Sequence, residues 1–161
     1  MATQMFIKID DIKGESQIDK HKEEIDIIKW EWGISQPGKM ATGGGGGVGR
    51  ASFHDLTFIH NVDKASPNLM KICATGEHKK EAKLAVRKAG GNDDQDYMII
   101  TMKDVFCTKV VPAGSNGEEE LTEAVSLQFS NVTVEYSPQK GDGSLDAAIS
   151  FSYDIKANKL E

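Results

Sequence analysis

Apolar and polar residues alternate along most of the chain, which is the pattern of half-buried β-strands. In the clearest segment, 147–155, every second residue is apolar, and the residues between them include Ser150, Ser152 and Asp154. Further strand-like segments lie at 6–9, 53–59, 82–86 and 97–106. The last of these is apolar at both parities, so we expect it to be covered on both faces. The pattern predicts a chain rich in β-structure.

Two strand-like segments change phase partway along their length. The change falls at 130–131 in the segment 125–136 and at 27–28 in the segment 25–32. Because side chains of a strand point alternately to opposite faces, such a change needs a β-bulge or a strand that passes from one sheet to another. Long strands of this kind favour a closed or strongly curved sheet over a flat one.

One segment predicts a short α-helix. Ser66 is a good N-cap, Pro67 suits the first helical position, and Gly76 ends the helix. Its apolar face consists of Leu69, Ile72 and Cys73. A helix of roughly two and a half turns is unstable by itself, so we expect it to pack on the sheet. Together these elements predict a single domain of seven to nine strands with one packed helix.

Charge and hydropathy narrow the classes of partner. The chain has 19 Lys and Arg against 25 Asp and Glu, a net charge of −6, and no basic block. Nucleic-acid binding depends on neutralising phosphates, so we expect no nucleic-acid partner. No apolar run approaches the roughly 20 residues that span a bilayer, so we expect no membrane insertion. The first ten residues lack a continuous apolar stretch, so we expect no secretory signal peptide.

Two cysteines, Cys73 and Cys107, are too few for a disulfide framework. We expect both to be buried free thiols in a reducing cytoplasm. A bridge between them would need a fold that brings their Cα atoms within about 7 Å.

Motifs for cofactors, metals or catalysis are weak. Gly44, Gly46 and Gly49 nominally match G-x-G-x-x-G, but a strand-like segment follows where a dinucleotide site needs a helix. The four histidines lack metal-ligand spacing, and the acidic clusters lack the EF-hand template. No G-x-S-x-G or S-x-x-K motif marks a nucleophile. We therefore expect no cofactor, no metal and no enzyme activity.

Two tryptophans define the faces of one strand. Trp30 and Trp32 share one parity, opposite Lys29 and Glu31. Two indoles place a large apolar area on one face, which is typical of a core or a subunit contact. We expect Lys29 and Glu31 to face water.

Several stretches occur together in one order: FIKI at 6–9, IKGES at 12–16, WEWGISQ at 30–36, GGGGGVG at 43–49, DKASPNLM at 63–70, AKLAVRKAG at 82–90 and VEYSPQK at 134–140. In this combination the chain resembles the Hcp (hemolysin-coregulated protein) family, the inner-tube subunit of bacterial type VI secretion systems. The resemblance covers almost the whole chain, from about residue 5 to residue 158.

The resemblance implies a mainly β fold, a single β-barrel of two curved sheets with one short α-helix packed at the side. The domain is expected to span 1–159, with Leu160-Glu161 left over from cloning. The resemblance also implies homohexameric rings that stack into a tube, with small effector proteins in the channel and contacts to the spike protein and sheath. Such a protein is cytoplasmic before firing and is then secreted to the extracellular space or a target cell.

Strand parity and the resemblance together indicate candidate site residues. We expect Lys29 and Glu31 to face the channel and its cargo, with Trp30 and Trp32 in the barrel core. The family's long loop is expected to contact neighbouring subunits through Gly43, Gly44, Gly45, Gly46, Gly47, Val48, Gly49 and Arg50. A different hypothesis is a monomeric β-barrel that binds a small ligand in its interior, and a weaker one is an enzyme with a non-local active site.

Overall fold

The computed structural model describes residues 3–38, 49–88 and 95–161 of the chain. Within these ranges the chain forms eleven strands, one α-helix, α1 (Ser66–Thr75), and a 3₁₀ turn at Asp19–His21. The strands are β1 (Thr3–Ile9), β2 (Ile25–Asp26), β3 (Lys29–Glu31), β4 (Ile34–Ser35), β5 (Ser52–Phe53), β6 (Leu56–Asn61), β7 (His78–Lys88), β8 (Asp96–Ala113), β9 (Thr122–Tyr136), β10 (Ile149–Asp154) and β11 (Lys159–Leu160). The predicted count of seven to nine strands is too low, because β2, β4, β5 and β11 are too short to show alternation.

The strands pair antiparallel around a circuit. β1 pairs with β7, β7 with β8, β8 with β9, β9 with β6, and β6 with β3. The chain itself closes this circuit, because β2 pairs with β1 and the two residues 27–28 join β2 to β3. β10 continues the sheet beside the second half of β9, and β11 pairs with β10. The mainly β barrel fold with one short helix is confirmed.

Both predicted phase changes mark places where the chain changes its pairing partner. At the first, Ile27 N donates to Met5 O of β1 at 2.9 Å, and Ile28 N donates to Ile59 O of β6 at 2.8 Å. At the second, β9 pairs with β6 through residues 122–127 and with β10 through residues 131–136. The slip in the alternation therefore allows each strand to bury side chains against two different neighbours.

The middle of β8 is distorted opposite the second phase change. Asp104 adopts φ 53°, and the flanking pairs Lys103–Asn131 and Val105–Phe129 place it opposite Ser130. Lys103 and Asp104 are exposed, so the prediction that 97–106 is covered on both faces is wrong at these two positions. A non-glycine residue with this φ is uncommon and strained, and local alternation gives no sign of it.

The helix packs against β8 and covers one part of the core with Leu69 and Ile72, which are buried. Its predicted N-cap is wrong: Ser66 is the first helical residue, and the cap position is Ala65. Asp63 takes the capping role because its Oδ1 accepts a hydrogen bond from Ala65 N at 2.8 Å, while Ser66 Oγ accepts one from Asp63 N at 3.1 Å. The predicted stop is confirmed, since Gly76 adopts φ 72° at the C-cap.

The interior of the barrel is filled by side chains. Those without exposed surface include Ile7, Ile25, Leu56, Phe58, Leu69, Leu84, Ile100, Met102, Val125, Leu127 and Val132. Burial of apolar area on this scale is the main source of the stability of such a domain.

The C-terminal Leu160 belongs to β11 and pairs with Tyr153, and its assignment to a cloning remnant stays a prediction. In the part of the chain that the structure describes, no helix has the length and apolar character to cross a membrane.

Candidate functional site

The short strand β3 separates an exposed polar face from the core. Lys29 and Glu31 are exposed, whereas Trp30 is half-buried against the core. Trp32, just beyond the strand, is also half-buried, and its ring lies 6.2 Å from that of Phe129. The structure thus places the two charged side chains and the two indoles on opposite sides. The assignment of the exposed side to a channel stays a prediction.

The cross-strand neighbours of Glu31 are polar on three further strands, whereas those of Lys29 are Ile59, Ala124 and Val111. Glu31 lies opposite Thr57 of β6, Thr57 opposite Ser126 of β9, and Ser126 opposite Lys109 of β8. The hydroxyl groups of Thr57 and Ser126 are 2.8 Å apart. Directly opposite residues share one face of a sheet, so these four residues form a continuous polar row, which we call the polar row. Glu31 and Lys109 at its ends are exposed and can contact water or a hydrophilic cargo, whereas Thr57 is half-buried and Ser126 is buried.

The predicted contact loop lies between the paired strands β4 and β5. Gly43 to Val48 lie outside the described residues, while Gly49 and Arg50 lie within them. Arg50 is exposed, and its Nη2 donates to the backbone O of Ile155 at 2.8 Å. The C-terminal end of the loop is therefore fastened to the turn after β10.

A surface cleft of about 480 Å³ opens beside Arg50. We call it the aromatic cleft, because Phe53, Phe106 and Phe129 line it together with the cations Arg50 and Lys156 and the strained Asp104. His78 Nδ1 lies 2.9 Å from Asp104 Oδ1. Hydrogen bonding from His78 lowers the pKa of Asp104, with a smaller contribution from Ser130. Sequence reasoning missed this cleft because its lining comes from five separate parts of the chain.

A buried ion-pair cluster lies where β6 meets β9. His60 and Glu123 are 0% and 1% exposed, and His60 Nε2 is 2.9 Å from Glu123 Oε1. Asp63 Oδ2 lies 3.7 Å from His60 Nδ1, which is an ion-pair distance and too long for a hydrogen bond. Within the described residues, His60 Nδ1 and Glu123 Oε2 have no hydrogen-bond partner. The cluster was missed because His60 and Glu123 are 63 residues apart in the chain.

This cluster predicts a pH dependence of stability. Burial lowers the pKa of His60, but the carboxylates of Asp63 and Glu123 outweigh burial and hold it above the ordinary value of 6.5. A raised folded-state pKa means that protonated His60 stabilises the fold fully below about pH 6.5 and that this stabilisation is lost as pH rises through the folded pKa. We expect the free energy of unfolding, measured in urea from pH 6 to pH 9, to fall with pH, and a His60→Leu/Glu123→Met variant to lose that component.

A second histidine connects distant segments. His21 is buried, its Nδ1 contacts Glu24 Oε2, and its Nε2 lies 2.9 Å from Asp96 Oδ1 at the start of β8. Its ring stacks on Phe6 with centroids 4.3 Å apart. Burial raises the pKa of Glu24, partly offset by His21. These contacts hold the loop 10–24 against the barrel.

In the described ranges, no group of three or more His, Cys, Asp or Glu side chains is placed to hold a metal ion.

Both cysteines are free, as predicted, and Cys107 is buried, but the prediction that Cys73 is buried is wrong, because Cys73 is only half-buried. Burial, together with the neighbouring Cys73, raises the pKa of Cys107 to about 12. Its Sγ lies 3.7 Å from Lys109 O. A thiol with so high a pKa carries almost no thiolate at neutral pH and is therefore a poor nucleophile.

Comparison with known proteins gives consistent matches. A family model described as type VI secretion system effector, Hcp, matches residues 6–136. The protein hcp1 of Pseudomonas aeruginosa is 49% identical over 159 residues, which are 98% of each chain. The crystal structure of Hcp1 from Salmonella typhimurium is similar with 42% identity and a TM-score of 0.81 over 100% of both chains. A structure of a type six secretion system protein has a TM-score of 0.94 at 26% identity, covering 99% of this chain and 100% of that one.

Proposed function

Because the chain belongs to the Hcp family of type VI secretion proteins, we propose that it forms homohexameric rings that stack into the inner tube and carry effector proteins in their channel. The observation that carries this proposal is the likeness over nearly the full length of both chains. The match extends over 98% of both chains, so the proposal applies to the whole of the sequence described here and rests on the surfaces of its domain.

The polar row supports a water-filled channel. Lys29 and Glu31 stand on the exposed side of β3, and the row continues through Thr57, Ser126 and Lys109. A channel that passes hydrophilic cargo needs a wall of this kind, because an apolar wall would retain unfolded or apolar surfaces. The effector would move past polar side chains that form hydrogen bonds with water as readily as with the effector.

The filled core does not support the alternative of a monomeric barrel with an interior ligand. Side chains such as Phe58, Leu84 and Ile100 have no exposed surface and occupy the interior that a ligand would need. The aromatic cleft lies at the surface among exposed residues. The barrel interior is thus used for stability.

Other features of the proposal concern the secretion apparatus. The proposed partners are further copies of the chain, small effectors in the channel, and the spike protein and sheath of the apparatus. The chain would be cytoplasmic before firing and would be secreted afterwards as part of the tube. An acidic ring of six chains, each with net charge −6, would not attract nucleic acid into its channel.

The mass in solution tests the ring. Six chains of 17.6 kDa give about 106 kDa, and we expect this mass by size-exclusion chromatography with light scattering. A mass that stays at 17.6 kDa across protein concentrations would contradict the proposal.

Thiol labelling tests the channel wall. We expect Lys29→Cys and Glu31→Cys, assembled into rings, to react with a small maleimide and to resist a maleimide on a polymer too large to enter the channel. The physical reason is size exclusion, because both side chains are exposed in the single chain.

Lys71→Cys, on the exposed side of α1, is the control that should react with both reagents. The wild type measures background labelling of Cys73 and Cys107. Equal labelling of positions 29 and 31 by both reagents would contradict the channel assignment.

A further inference from the structure

The aromatic cleft combines apolar walls with positive charge on a chain that is acidic overall. Its walls include Phe53, Phe106 and Phe129, and Arg50 and Lys156 are exposed at its rim. Within the described ranges, no carboxylate forms an ion pair with Arg50 or Lys156. Arg50 donates to the backbone O of Ile155, and Lys156 helps to lower the pKa of Asp104, but both side chains are exposed at the rim of a chain whose net charge is −6.

The backbone at the cleft is strained. Asp104, with φ 53°, lies in the middle of β8, and its carboxylate is 2.9 Å from His78 Nδ1. Strain of this kind persists where the surrounding structure holds it, and such residues cluster at sites of binding and switching. The hydrogen bond with His78 lowers the pKa of Asp104, so this carboxylate stays ionised, and Arg50 and Lys156 must outweigh its single negative charge for an acidic occupant to bind.

The chain carries a segment of complementary chemistry. Glu118, Glu119 and Glu120 are its longest acidic run, and Leu121 follows them with 56% of its surface exposed. The turn has a defined shape, because Glu118 N donates to Ser115 O at 3.2 Å and Leu121 O accepts from Val62 N at 2.9 Å. We call the segment 118–121 the acidic turn. Three carboxylates beside one exposed leucine match a cleft with two cations and aromatic walls.

A chain cannot dock the acidic turn into its own aromatic cleft. Phe106 in the cleft and Ala113 at the end of β8 are seven residues apart in one strand, which corresponds to roughly 23 Å. The turn lies at the far end of the β8–β9 ribbon, whose pairing keeps the two regions apart. A contact between them must therefore join two copies. Such a contact uses different patches on the two partners, which is the geometry that builds rings or filaments.

We propose that the aromatic cleft of one subunit binds the acidic turn of a second copy of this chain, with Arg50 and Lys156 facing the glutamates and Leu121 against the phenylalanine rings. The inference rests on the proposed assembly into rings and tubes. The two surfaces would together form one subunit contact. Arg50, which lies two residues before β5, would be part of that contact.

A charge-swap experiment tests the contact. We expect Arg50→Glu/Lys156→Glu and, separately, Glu119→Lys/Glu120→Lys to weaken assembly at least tenfold, measured as a shift in the protein concentration needed for rings or for tubes. The combination of all four substitutions should restore assembly to within about threefold of the wild type, because the charges are exchanged across the contact. Solution mass reports rings, and electron microscopy reports tubes.

Matched controls separate this contact from net charge and from misfolding. Lys71→Glu/Lys140→Glu reverses two exposed cations outside the cleft and changes the net charge by the same four units, from −6 to −10. Arg50→Gln/Lys156→Gln is the milder cleft variant if the reversal perturbs folding, and the thermal midpoint of each variant is compared with the wild type. The control pair should assemble normally.

The outcomes distinguish the inference from the proposed function. Loss of rings or tubes that the four-fold swap restores supports the contact. Unchanged assembly in both two-residue variants, loss without restoration, or an equal loss in the Lys71/Lys140 control would overturn it while leaving the tube function intact. A wild type that remains at 17.6 kDa would remove the proposed function itself.

Discussion

Glu123→Met is expected to lower the free energy of unfolding by about 3–5 kcal/mol. The substitution removes the partner 2.9 Å from His60 Nε2 and leaves a histidine with no exposed surface, whose remaining charged neighbour, Asp63, lies 3.7 Å from Nδ1. Breaking a buried pair is costly, because the remaining polar group keeps its desolvation penalty and loses its compensation. Urea unfolding at fixed protein concentration measures the loss, since assembly also contributes to apparent stability.

The double variant His60→Leu/Glu123→Met is the decisive control for this prediction. Replacing both members of a buried pair with apolar side chains of similar size is often neutral or stabilising, so most of the lost stability should return, to within roughly 1–2 kcal/mol of the wild type. A double variant as unstable as Glu123→Met would show that packing at these positions, and not the pairing of charges, decides the stability.

Phe58→Ala is expected to cost about 3–5 kcal/mol as well, for an apolar reason. Phe58 has no exposed surface and lies between Trp30 of β3 and Val125 of β9 in the sheet. Its removal leaves a cavity where three strands bring their core faces together, and rigid β-strands cannot collapse to fill it. Thermal or urea unfolding measures the effect.

The smaller truncation Phe58→Leu separates the cavity from other effects. Because leucine keeps most of the apolar volume, we expect a loss of less than about 1.5 kcal/mol. A Phe58→Ala variant that loses less than about 1 kcal/mol would contradict the view that this position joins β3, β6 and β9 in a single core.

Several elements could be predicted because they depend on neighbours in the sequence. Alternation placed β1, β7, β9 and β10, and an apolar run at both parities placed the first part of β8. The two interruptions of the alternation marked where the chain changes partners at 27–28 and at 130–131. Pro67 and Gly76 located the helix. The side-chain period of two also placed Lys29 and Glu31 opposite the tryptophans.

Other features escaped prediction because they join residues that are distant in the chain. Asp63 displaces Ser66 as the capping side chain through the geometry of the preceding turn. Asp104 acquires its left-handed conformation from the strands around it, and nothing in its neighbours in sequence requires it. The short strands β4 and β5 exist through their pairing with each other.

Local periodicity and ordered motifs were enough to predict the β-rich class, the helix that ends at Gly76, the two faces of β3 and membership of the Hcp family. The tertiary structure decided which side chains meet: His60 with Glu123 in the core, His21 with Asp96, and the cations with the phenylalanine rings in the aromatic cleft. These contacts arise when antiparallel pairing brings distant strands together, and the energies of buried charges depend on that three-dimensional environment.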